Sequence, residues 1–87
     1  MDEDTAKLKV RYENTTAVYA NQIVLSANRE DLIVDFSSGA VPDPATGEPV
    51  LPVHTRVALS WTGAARLRTL LDRALERQTQ QGQEGEA

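Results

Sequence analysis

Apolar and polar positions alternate with period two in four stretches of the chain and recur with helical period in a fifth. Val18 to Ala27 is the first strong run. Tyr19, Ile23 and Leu25 share one face, with Asn21 among them, and Ala20, Gln22, Val24 and Ser26 take the other. Such alternation predicts a strand. Asn28-Arg29-Glu30-Asp31 is a polar break suited to a hairpin turn, where Asn tolerates positive φ. Leu32 to Phe36 follows, with Leu32, Val34 and Phe36 pointing one way and Ile33 and Asp35 the other. Two strands joined by so short a break pair antiparallel. Val53 to Ser60 is a further strand, with Val53, Thr55, Val57 and Leu59 assigned to the core side and His54, Arg56, Ala58 and Ser60 opposite. Leu8, Val10 and Tyr12 alternate with Lys7, Lys9 and Arg11, a pattern that fits an edge strand guarded by basic side chains.

The fifth stretch is a helix from Trp61 to about Arg77. Ala64, Leu67, Leu70, Leu71, Ala74 and Leu75 form one apolar stripe at helical spacing. Ser60 is the expected N-cap, with Thr62 as its rival, and Arg73 and Arg77 complement the dipole near the expected end. Between the second and third strong strands lies Ser37 to Pro52, which holds all four prolines and two of the glycines. Proline cannot donate to a ladder, so no central strand runs here, and Asp43-Pro44-Ala45-Thr46-Gly47 is a turn signature.

These elements predict an α+β fold: an antiparallel meander of three to four strands with one C-terminal amphipathic helix packed on one face. At 87 residues the chain reads as a single domain. Its ordered core is expected at about 7–77. Residues 1–6 and 78–87, polar and without large apolar side chains beyond Met1, are expected as flexible tails.

Composition narrows the function classes. The net charge is −4, from 9 basic and 13 acidic residues, which argues against bulk binding to nucleic acid or an anionic membrane. No cysteine is present, which excludes disulfides and Cys-based metal sites, and His54 is the only histidine. The N-terminal stretch is acidic, then mixed, without the apolar run of a secretory signal, and no window approaches the roughly 18 apolar residues of a membrane span. A cytoplasmic setting is therefore expected.

Few residues carry candidate chemistry. Asp31 and Asp35 share a strand face and are expected in solvent. His54 has no Cys, Ser or acid at a motif spacing and is expected to be exposed and neutral in role. Thr62-Gly63 opens the helix, but no basic residue precedes Arg66, so capping is the expected role. Arg66, Arg73 and Arg77 share a helix flank that Asp72 and Glu76 interrupt, and aromatic stacking platforms are scarce. No catalytic residue, metal ligand or cofactor site is assigned.

The stronger signal is surface that one helix cannot cover. A single helix shields one face of a three- or four-stranded sheet, and the reverse face is expected to hold Val18, Ala20, Val24 and Ile33. A patch that apolar calls for a partner, and a second copy related by a two-fold axis is the simplest one; another protein is the alternative. The expected interface residues are Tyr19, Asn21, Val24 and Ile33, with Trp61 as an anchor. The expected function is a non-enzymatic oligomeric interaction or assembly module. A chaperone-like holdase and a nucleic-acid-associated regulator are the alternatives.

Tyr19-Ala20-Asn21, the following apolar strand and Asp35-Phe36, then Arg56-Val57-Ala58-Leu59-Ser60 and Ala64-Ala65-Arg66-Leu67-Arg68-Thr69-Leu70-Leu71, resemble the small bacterial and archaeal family called domain of unknown function 3467. The resemblance covers about residues 18–75. Trp61 departs from it, since the family often has Pro after the Ser cap, and the Pro-rich loop is longer here. The resemblance implies the strand–turn–strand–loop–strand–helix order and a soluble setting, and no activity. A looser likeness, at fold level only, is to SecB-type export chaperones.

Overall fold

The computed structural model describes residues 8–86, with side-chain surroundings as far as Gln81. The elements are β1 (Gln22–Ala27), β2 (Asp31–Ser37), β3 (Val41–Pro42), β4 (Pro49–Val50), β5 (Thr55–Ser60) and α1 (Trp61–Glu86). Strands β1, β2 and β5 form one antiparallel sheet with β2 in the centre, and β3 and β4 pair as a small separate ribbon. The fold is α+β, as the periodicities predict.

The β1–β2 turn closes through Asn28, whose N–H donates to the Asp31 carbonyl at 2.8 Å and whose amide donates to the Asp31 carboxylate at 3.0 Å. Among the described residues no non-glycine has positive φ, so Asn28 serves the turn by hydrogen bonding and not by a left-handed backbone. In the connector, Asp43 accepts from the N–H groups of Ala45 and Gly47, and Gly47 takes a φ of 78° that only glycine adopts without strain. This turn aligns β3 with β4 and leaves the main sheet at three strands.

Leu8 to Tyr12 is not a strand. Its alternation is intact, but among the described residues no strand pairs with it, and Leu8, Val10 and Tyr12 are all exposed. Asn14 then accepts the Thr16 N–H at 2.9 Å, a local turn that ends any extended run. Lys7 and the expected N-terminal tail 1–6 lie outside the described residues.

Strand β1 begins at Gln22, four residues later than the alternation suggests. The Asn21 N–H bonds to the Ser37 carbonyl at 3.0 Å, one residue out of step with the Gln22–Ser37 pair. A matching slip opens β5 at Thr55 instead of Val53: the His54 N–H reaches the Phe36 carbonyl at 3.0 Å, again one residue out of step. Pro52, just upstream, has no N–H to extend the ladder.

Ser60 closes β5 and caps α1, its hydroxyl accepting the Gly63 N–H at 2.9 Å. The helix does not pack along the sheet. From Ala65 to Gln81 every residue is exposed, and only Gly63 and Ala64 are half-buried. The radius of gyration is 17.6 Å, against roughly 12 Å for a compact chain of this length. The helix also passes Arg77 and continues to Glu86. In this stretch the Thr79 hydroxyl donates back to the Leu75 carbonyl at 3.0 Å.

Candidate functional site

Registers define the two faces of the sheet, because residues directly opposite on antiparallel strands project to the same side. One face carries three cross-strand rows: Ile23–Phe36–Thr55, Leu25–Val34–Val57 and Ala27–Leu32–Leu59. It holds no charged side chain. Val34, at its centre, is 5% exposed, whereas Ile23 and Leu25 are 58% and 61% exposed. This is the face assigned to the helix by its pattern; Leu32, Phe36, Thr55 and Leu59 on it are half-buried, while Ile23, Leu25, Ala27 and Val57 are exposed.

The reverse face is more polar than its alternation suggests. Val24, Asp35 and Arg56 form its middle row, with Ser26, Ile33 and Ala58 beside it. Asp35 is only 8% exposed, so it is not the solvated residue expected from sequence. The Arg56 Nε donates to its Oδ1 at 2.7 Å, and Nη2 approaches Oδ2 at 3.5 Å. That hydrogen bond first, and the carboxylate charge second, raise the Arg56 pKa above its usual value. A central-strand carboxylate is acceptable here because its cross-strand neighbour supplies the counter-charge.

Val18 and Ala20 are not on this reverse face. With Ile23, Phe36, His54 and Thr55 they line an open, mainly apolar hollow of about 420 Å³ at one end of the uncovered face. The slip at Asn21 accounts for the change of side, since one residue out of step inverts the alternation upstream. The apolar surface that needs cover is therefore the face of Ile23, Leu25 and Phe36, and not a reverse face built from Val18, Ala20, Val24 and Ile33.

The expected interface residues occupy three places. Val24 and Ile33 lie on the reverse face beside Asp35, Val24 exposed and Ile33 half-buried. Tyr19 and Asn21 sit at the end of the sheet where β2 closes. The Tyr19 carbonyl there accepts from the Ser38 hydroxyl at 3.1 Å and from His54 Nε2 at 3.0 Å. A carbonyl only accepts, so Nε2 carries a proton. The other ring nitrogen, Nδ1, faces the Thr55 hydroxyl at 2.8 Å. His54 thus ties the segment before β1 to the start of β5. Trp61 is at the opposite end, its indole N–H shared by the carbonyls of Asn28 and Arg29 at 3.3 and 3.2 Å. It clamps the helix start to the β1–β2 turn.

The His54–Tyr19 link and the Asp35–Arg56 pair were not read from the sequence, because 35 and 21 residues separate the partners. The pairing of β2 with β5 was the available signal for the second: it places Asp35 opposite Arg56. Among the described residues, no group of three or more His, Asp or Glu side chains is placed to hold a metal ion, and no helix is long and apolar enough to cross a membrane.

A model of the family described as "Protein of unknown function (DUF3467)" matches residues 2–83. The chain belongs to this family. The match reaches beyond the 18–75 over which the motifs resemble it, and takes in the Leu8–Tyr12 segment and α1 as far as residue 83. No curated protein and no solved structure matches the chain.

Proposed function

We propose that this DUF3467 chain is a non-enzymatic assembly module that works as a homodimer or higher oligomer in the cytoplasm, with its uncovered sheet face and leucine stripe buried against other chains. One observation carries the reading. Among the described residues Val34 is the only buried apolar side chain, while Ile23, Leu25, Val57, Leu67, Leu70, Leu71 and Leu75 are all exposed. Full burial of such a side chain is worth about 1.5–3 kcal/mol, so each half-exposed one leaves about 1 kcal/mol available to association. A three-stranded sheet draws its stability from a covered apolar face, and a helix draws most of its own from packing of its stripe. Among the described residues both supports are incomplete within one chain.

Size exclusion with light scattering at micromolar concentration tests this. The expected mass is a multiple of 9.5 kDa, and a single 9.5 kDa species contradicts it. A holdase draws on the same apolar surface and is the second reading. It differs in leaving that surface open: it binds an apolar dye strongly and suppresses aggregation of an unfolded client. An assembly module, its faces mutually covered, does neither.

A further inference from the structure

We propose that α1 of one copy lies across the apolar sheet face of a second copy, and that the exchange is reciprocal, each helix covering the other chain's sheet. This rests on the assembly reading above and specifies its contact.

The two surfaces fit in size. The rows from Ile23 to Ala27 span four strand residues, about 13 Å, and three strands at about 4.8 Å spacing give a face about 10 Å across. The stripe from Leu67 to Leu75 spans eight helical residues, about 12 Å, on a helix about 10 Å thick. One helix therefore covers one face.

They also fit in chemistry. The nine residues of the three rows include no charge. Along the helix Arg66, Arg73 and Arg77 lie to one side of the leucine stripe, where they stay at the solvated rim of such a contact. The hollow bounded by Ile23, Phe36 and Thr55 offers a socket for a leucine at one end of the stripe.

The helix cannot reach its own sheet in this way. Ser60 is the last residue of β5 and Trp61 the first of α1, so no linker separates them. The Ser60 cap and the Trp61 indole bonds to Asn28 and Arg29 then fix the direction in which the helix departs. Reciprocal exchange leaves that junction unchanged. It forms two equivalent contact zones about a two-fold axis, which doubles the area toward the roughly 1,600 Å² of a standard stable interface. A second copy is the occupant that supplies the missing helix to the sheet and the missing sheet to the helix at once.

The chain has no cysteine, so introduced thiols report cleanly. Leu25→Cys is placed in one chain and Leu71→Cys in a second chain carrying a size tag. The two are unfolded together, refolded, and treated with a short thiol–thiol cross-linker, with Leu67→Cys and Leu75→Cys as alternative helix positions. The expected product is the mixed Leu25–helix dimer, formed several-fold faster than either same-position dimer. Same-position sheet–sheet or helix–helix dimers without the mixed product overturn the exchange and leave the assembly reading standing. A single-chain mass by light scattering with no cross-linked dimer overturns both.

Discussion

Strand β2 runs between two hydrogen-bonded neighbours, and Val34, Asp35 and Ser37 along it are nearly inaccessible to solvent. The distal part of α1 has its backbone bonds satisfied within the helix, and its leucines face water: Leu70 is 59% and Leu75 62% exposed. Both regions are apolar by pattern. They differ in where their cover comes from. In β2 the backbone pairs with a strand on either side, and among the described residues every buried side-chain polar atom has a partner. In α1 from Ala65 to Gln81 none of the described residues supplies such cover. Buried side-chain polar atoms are satisfied among the described residues, whereas Val34 is the only apolar side chain among them that is fully buried. On the proposed assembly, the exposed stripe of the helix and the exposed part of the sheet face would both be covered by another chain.

The hardest blow to this contrast falls on β2. Val34→Asp places a charge at the one buried apolar position, at a cost of several kcal/mol against a total margin of about 5–15 kcal/mol. Circular dichroism is expected to show loss of both strand and helix signals; a cooperative native-like melt contradicts the central place given to this residue. The paired change Leu70→Glu with Leu71→Glu strikes only the helix. It is expected to weaken association by about 100-fold, corresponding to two lost leucine contacts of roughly 1–2 kcal/mol each. Light scattering reads the fall in mass, while Trp61 emission, set by the β1–β2 turn, stays in place. An unchanged mass refutes the stripe as a contact.

Smaller changes sharpen the same division. Arg56→Ala leaves the Asp35 carboxylate without its counter-charge, so the urea midpoint is expected to drop further than for Arg66→Ala on the exposed helix flank. Equal midpoints remove the ion pair from the account. Ser60→Ala deletes the helix cap and is expected to cost about 1 kcal/mol in chemical denaturation. No change there means the junction is held by Trp61 alone.

Much of the architecture was legible from local pattern. Alternation located β1, β2 and β5, the prolines excluded a central strand from the connector, and Ser60 marked the helix start. The misreadings share one cause: each needed a partner that local pattern does not name. Leu8 to Tyr12 alternates like a strand, but a strand exists only against an edge, and no edge among the described residues receives it. Asp35 looked solvated until Arg56 was brought opposite it. Val18 and Ala20 changed sides because one out-of-step hydrogen bond at Asn21 inverts everything before it. The leucine stripe identified the helix, but periodicity shows only that a face is apolar, and from Ala65 to Gln81 that face is exposed. Of the interface residues expected from sequence, Val24 and Ile33 stand together on the reverse face, while Tyr19 and Asn21 stand at one end of the sheet and Trp61 at the other.

The central claim is that α1 beyond its first turns owes its stability to another molecule. Far-UV circular dichroism at 222 nm, followed in parallel with molar mass over a dilution series from about 100 μM downward, tests it directly, because a helix that depends on association unravels as the complex dissociates. The expected result is a loss of helical signal that tracks the fall in mass. A helical signal that holds constant while the protein becomes a 9.5 kDa monomer contradicts the claim.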